Sequence, residues 1–381
     1  MSITQIFTLA LFNMMGMRAG RVLVVLYALE LGAQSFAVGM LAATFSVFPG
    51  VLSWPVGMLA DRIGSRVPLL IGTVGLAFAA LAPYFFPGMP ALFVASAMIG
   101  LSFAFFNVTT QNLIGLLGKS GDHARNFSNF SLLQSVASFF GPLLIGFGID
   151  QAGYGITCLY LALLSLVPVA ILLSRGSALP GGMRQTKSEG SVLHTLKAPG
   201  MWRVLATGSL VVTGIELYQF YMPVYGHAIG LSASAIGFIL AIFSAASFVV
   251  RLVMPVLLAR LSQEKVLAYS FYVAAVSIVL LPYFQSVAVL ALISFLFGIG
   301  MGCGQPITMT MAFTGSAEGR TGEIMGLRVT VNNLTRVVVP VLFGTIGSLF
   351  GLFAVFWVNA LMLGSGGILT GSESARRDRG K

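Results

Sequence analysis

The sequence predicts an all-α membrane protein with twelve transmembrane helices in two pseudo-symmetric six-helix bundles. Three observations carry that expectation. Of the 381 residues, 57% are hydrophobic and only 8% are Asp, Glu, Lys or Arg. Apolar runs long enough to cross a bilayer recur twelve times along the chain. A single offset of 198 residues relates the first half to the second.

Composition acts first by exclusion. Soluble domains carry about 25% charged residues, and a chain this poor in charge has no means of covering a globule with a water-compatible surface. A soluble enzyme and a nucleic-acid binder are therefore excluded, and the abundance of apolar side chains excludes disorder. A helix needs about 20 apolar residues to span the bilayer core, so twelve spans with short connections take about 30 residues each and fit the length. Cys158 and Cys303 sit in apolar stretches and imply no disulfide framework. The first residues, MSITQIFTLALF, show neither a basic n-region nor a cleavage site and read as the first permanent span.

Turn residues divide the apolar sequence into spans at about 4–28, 35–58, 67–86, 91–116, 126–149, 154–174, 201–226, 232–258, 265–283, 287–312, 323–347 and 351–370. The longest polar stretch, SRGSALPGGMRQTKSEGSVLHTLKAPG, lies between the sixth and seventh spans. It reads as a cytoplasmic linker over 175–200. The expected bundles are then residues 1–174 and 201–371, with a cytoplasmic tail over 372–381.

Lys and Arg give the orientation. Alternate loops hold Arg62 and Arg66, Lys119 and Arg125, the linker cations, Arg260 and Lys265, and Arg320, and the tail adds four more cations. The intervening loops, such as PGMP at 87–90 and GHAIGLS at 226–232, hold none. By the positive-inside rule both termini and the linker face the cytoplasm of an inner or plasma membrane. The formal charge of +10 is thus a topology signal, and no nucleic-acid partner is expected.

The 198-residue offset pairs Tyr27 with Tyr225, Gly39 with Gly237, Phe45 with Phe243, Ser46 with Ser244, Arg62 with Arg260, Gly100 with Gly298, Thr110 with Thr308, Pro142 with Pro340 and Gly146 with Gly344. Each match alone is expected by chance in so biased a composition. One offset holding from the first span of a half to its fifth, with a local slip near Pro83 and Pro282, points to two parallel repeats. That is a transporter arrangement, with a site at mid-membrane between the repeats.

After the second span comes Gly57-Met58-Leu59-Ala60-Asp61-Arg62-Ile63-Gly64-Ser65-Arg66. This loop resembles the cytoplasmic signature of the major facilitator superfamily, G-x-L-A-D-R-x-G-R-K, and departs from it at Ser65. With the repeat and the topology, the resemblance covers essentially the whole chain. It implies a gate in which Asp61 meets the start of the eleventh span, while Arg62 and Arg66 pair with acids such as Glu318 or Glu323. Gly57 and Gly64 complete the loop, Gly57 as a point of close helix approach. The bland alternative is that the arginines only set topology. Gly141-Pro142-Leu143-Leu144-Ile145-Gly146 in the fifth span resembles, less closely, an element of drug/proton antiporters in that superfamily. Export with proton antiport is permitted by this element, and a Gly-Pro packing kink explains it equally well.

Ionisable groups at mid-membrane are expensive and mark function by default. Arg18 and Arg21 in the first span, Glu216 in the seventh, Arg251 in the eighth and Arg328 and Arg336 in the eleventh are the candidates. Arg18 and Glu216 stand at equivalent repeat positions. In one reading Glu216 binds a proton when its cation leaves and releases it on pairing with Arg18 or Arg336, which couples protons to transport. In the other, Arg18 and Glu216 form a permanent pair that fixes register. Polar residues at helical spacing complete the expected substrate and coupling set: Asn107, Gln111, Gln134, Gln219, Gln305 and Asn332. Arg328 lies about two turns towards the cytoplasm from Arg336 and is assigned to the gate. Arg251 is expected either to snorkel or to pair near the cytoplasmic end.

The sequence contains no H-E-x-x-H, no G-x-x-x-x-G-K-[ST] and no G-x-S-x-G. No cofactor, no metal and no enzymatic activity are expected, and an ion gradient is favoured over ATP as the driving force. The expected function is alternating-access secondary transport of a small organic solute, an anion being favoured by the central arginines, with protons as the coupling ion. The alternatives are a drug/proton antiporter for hydrophobic compounds and, from another class, a non-transporting membrane receptor or scaffold. The expected partners are the solute, protons or another coupling ion, and lipid, with the chain acting as a monomer.

Overall fold

The computed structural model describes residues 3–117, 123–175, 201–314 and 321–379. Apart from turns, all regular structure among them is helical. In chain order the helices are α1 (Ile3–Glu30), α2 (Ser35–Ile63), α3 (Arg66–Phe85), α4 (Met89–Leu117), α5 (His123–Arg175), α6 (Met201–Ala228), α7 (Ala233–Arg260), α8 (Gln263–Leu280), α9 (Val287–Gly302), α10 (Gly304–Thr314) and α11 (Thr321–Arg379).

Two of these helices are pairs of spans joined end to end. α5 turns at Gly153 (φ 77°) and α11 at Gly351 (φ 81°), a backbone region that only glycine enters freely. The sixth and twelfth spans were expected to begin at 154 and 351, where these bends fall. Gly32 (φ 82°) and Gly230 (φ 76°) make the turns after the first and seventh spans. Both pairs of bends are separated by 198 residues, so the repeat visible in residue types is also a repeat in backbone shape.

Nine helical stretches among the described residues are long and apolar enough to cross a membrane. Two of them, Asn129–Ser174 and Leu327–Ser372, are 46 residues long and suffice for two crossings each. α6, the expected seventh span, is not among the nine. Thr213, Glu216, Gln219 and three tyrosines dilute its hydropathy, although most of the helix from Leu205 to Gly226 is buried. The expected tenth span differs as well: it divides at Cys303 into α9 and α10.

The chain forms two compact units, Met1–Thr186 with Gly226–Ala241 and Lys187–Tyr225 with Ile242–Lys381. In the first, α5 lies along α1, while α4 packs on α2 and α3. Its core includes Leu69, Leu76, Phe106 and Leu113, all fully buried. In the second unit, α8 packs against α9 and α11, and Tyr218 of α6 stacks within 4.8 Å of both Phe243 and Phe297.

Small residues set the helix approaches, as membrane packing requires in the absence of a hydrophobic force between helices. A Cβ on Gly100 would collide with the Phe45 carbonyl, and one on Gly298 would stand 2.5 Å from the Phe243 carbonyl. These are the same two repeat pairs that the sequence offset identified. A Cβ on Gly141 would come within 3.1 Å of Met15 O, Ala19 N and Arg18 Cβ, so this glycine brings α5 against α1 beside Arg18.

The segment Gly226–Ala241 packs with the first unit for a visible chemical reason. Asp150 of α5 accepts hydrogen bonds from Ala233 N (3.0 Å) and Ser234 N (2.9 Å), and Ser232 Oγ accepts from Ala235 N. The first N–H groups of a helix have no partner inside it, and a carboxylate there also meets the positive end of the helix dipole. Gly146 and Gly237 remove the side chains that would otherwise strike the carbonyls of Ala233 and Pro142. His227 and Glu30 lie 4.0 Å apart in the same region.

Candidate functional site

The central charges of the second unit come together. Glu216 on α6 pairs with Arg336 on α11, with Arg336 Nε donating to Oε1 at 3.1 Å. The carboxylate side chain is only 8% exposed and the guanidinium 31%. A lone charge so deep would be costly, whereas a pair that also shares a hydrogen bond offsets much of its desolvation. Four residues before Arg336 on α11 comes Asn332, half-buried, and four before that Arg328, so all three share one helix face. Asn332 also borders α6, because a Cβ on Gly208 would lie 3.9 Å from its Oδ1.

Arg328 reaches the broken tenth span. Its Nη2 donates to the Gln305 carbonyl at 3.4 Å, and Thr308 Oγ1 donates to the same oxygen at 3.1 Å. The second unit thus holds two polar contacts on one face of α11, Arg336 with Glu216 and Arg328 with the Gln305 carbonyl, with Asn332 between them in sequence. Gln219 lies one turn beyond Glu216 on α6 and is half-buried.

In the first unit the expected residues are spread over three helices. Arg18 and Arg21 are half-buried on α1, and Arg21 stands over the Phe45 ring at 5.2 Å, a cation–π contact. Asn107 is half-buried on α4 and Gln111 one turn later is exposed. Gln134 on α5 is half-buried, and its carbonyl accepts a hydrogen bond from Ser138.

At the signature loop, Gly64 caps α2 with φ 84° and returns its N–H to Ala60 O. The loop thus needs glycine there for backbone reasons alone. Arg62 and Arg66 are exposed. A Cβ on Gly57 would meet Val108 Cγ1 at an ordinary 3.7 Å. The side chains of Asp61 and Glu323 and the whole of Glu318 lie outside the described residues.

Arg251 has a backbone partner: its Nε donates to the Gly302 carbonyl at 3.1 Å. Sequence reasoning did not find that contact, nor the Asp150 cap. For the Arg251 contact alone the signals were present, as an arginine and a proline, Pro306, four residues after Gly302.

Two bundles of apolar spans, kinked by glycine and carrying a buried ion pair, define a class: membrane carriers for small solutes. The particular family follows from comparison. The Major Facilitator Superfamily profile matches residues 6–338, with a further match over 226–375, and the chain belongs to that family. An uncharacterised MFS-type transporter, YuxJ of Bacillus subtilis, is 25% identical over 81% of both chains. The multidrug resistance protein MdtG of Salmonella paratyphi A is 22% identical over 88% of this chain and 86% of its own. Among solved structures, a peptide transporter POT in complex with sulfate superposes with TM-score 0.81 at 13% identity, covering 98% of this chain and 94% of that one. A nucleoside transporter, NupG, gives 0.80 at 12% identity, covering 97% and 99%. The protein is an integral membrane transporter of small molecules and not an enzyme.

Proposed function

We propose that the protein is a proton-coupled secondary transporter of a small organic solute, working by alternating access. The observation that carries this reading is the buried Glu216–Arg336 pair. A buried carboxylate paired with a guanidinium can exchange that partner for a proton when the helices move. The two half-buried arginines of α1 and Arg328 of α11 leave the central residues cation-rich, which supports an anionic or acidic amphiphilic solute. Exchange of this kind needs no second subunit, and the unit of function is the monomer. The alternation of Lys and Arg along the loops supports an inner or plasma membrane with both termini in the cytoplasm.

A second reading, drug/proton antiport, is favoured by the likeness to the multidrug resistance protein MdtG and by the packing of Gly141 on α1. The two readings share the role of Glu216. In proteoliposomes with an imposed proton gradient, Glu216→Gln is expected to abolish uphill transport while leaving solute exchange in place. Gradient-driven accumulation equal to that of the unaltered protein would overturn the coupling role. An organic-anion panel and a panel of hydrophobic cations, run in parallel, separate the two solute classes.

A further inference from the structure

The tenth span is broken by a missing donor, and a neighbouring helix supplies another. In an unbroken helix the N–H of residue 306 would bond the carbonyl of residue 302. Residue 306 is proline and has no N–H. α9 accordingly ends at Gly302, Cys303 forms a turn, and α10 begins at Gly304, its regular pattern resuming with Ile307 N bonded to Cys303 O at 3.1 Å. Freed carbonyls inside a membrane must find donors elsewhere in the protein. Arg251 Nε on α7 donates to the Gly302 oxygen.

The contact is tightly built. A Cβ on Gly302 would strike Val250 and Ser247 of α7, and one on Gly304 would strike Val211 of α6. Cys303 Sγ lies 3.8 Å from the Val250 carbonyl, beside the arginine. A cation at the end of α9 also meets the negative end of that helix's dipole.

The other half of the molecule serves as an internal control. Subtracting 198 from Pro306, Gly302 and Arg251 gives Val108, Ala104 and Ser53. There the proline and the arginine are both absent, and α4 runs unbroken from Met89 to Leu117. At these matched positions, proline, break and arginine are all present in one half and all absent in the other.

We propose that Arg251 replaces the hydrogen bond that Pro306 removes, and is the positioning residue that keeps the tenth span divided at Cys303. Across the break, Arg328 holds the Gln305 carbonyl, so one arginine from α7 and one from α11 grip the two ends. Arg328 shares its helix face with Asn332 and Arg336, and the break is therefore the point where a shift of that face passes to α10. The assignment stands whatever the solute and does not rest on the coupling role of Glu216.

The test is a double-mutant cycle in a Cys158→Ala background, which leaves Cys303 as the single thiol of the chain. Purified protein is melted and labelled with N-ethylmaleimide. Arg251→Met is expected to lower the melting midpoint by about 3 °C and to speed Cys303 labelling by about threefold or more. Arg251→Lys, which offers the carbonyl one ammonium donor, restores most of both. In Pro306→Ala the backbone N–H returns, so adding Arg251→Met to it changes neither midpoint nor labelling. Additive losses in the double variant, or unaltered labelling and melting in Arg251→Met, would overturn the proposal. Should Arg251→Met fail to fold, the double variant must still fold and melt like Pro306→Ala. Its failure sinks the idea.

Discussion

Asp150 holds two backbone N–H groups of α7 with its two carboxylate oxygens. Helix caps of this kind are worth about 1 kcal/mol. Asp150→Ala is therefore expected to lose about that much in thermal or denaturant melts, and Asp150→Asn less, because it keeps one acceptor. Nothing in the sequence announces the cap. Its partners lie 83 and 84 residues away, and locally the aspartate reads as the polar end of a span. Glu216 was legible as an intramembrane acid because lipid makes such residues rare, yet its contact with Arg336 was not. Several intramembrane cations satisfy the same sequence rule, and only side-chain geometry shows a contact.

At the scale of elements, glycines divide into those that set a helix approach and those that do not. Gly100→Val would drive a side chain into the Phe45 carbonyl, and overpacking of this kind costs about 1–3 kcal/mol. Gly57→Ala meets open contact at Val108 and should fall within about 0.5 kcal/mol of the unaltered protein. Melting midpoints of the two variants, taken side by side, check the contrast. The break in the tenth span escaped the reading of apolar runs, which average over a window and pass through Gly-Cys-Gly-Gln-Pro. A proline alone would not have marked it either. α2 carries Pro49 and Pro55 and remains one helix. What decides the outcome is a donor on a neighbouring helix, and that is a property of packing.

For the molecule as a whole, the all-helical membrane fold was readable because the bilayer leaves few solutions. Every backbone polar group must be bonded internally, so hydropathy and turn residues suffice to mark out helices. Orientation rests on the loop cations, and it predicts that a fluorescent protein fused after Lys381 is fluorescent in cells while alkaline phosphatase fused there is inactive. The opposite result would invert the gate and the proton path together. The substrate was not readable, because no loop motif in the sequence specifies one.

The glycine bends at 32 and 230, and at 153 and 351, have a consequence for how such a chain could be built. Both halves keep the same bends, while the chemistry at matched positions has parted: arginine against glutamate at 18 and 216, serine against arginine at 53 and 251, valine against proline at 108 and 306. A chimera of two first halves would inherit every fold of the path and none of the carboxylate, the broken span or its arginine. It would be a scaffold with its machinery left out, and the minimal background onto which those residues could be restored one at a time.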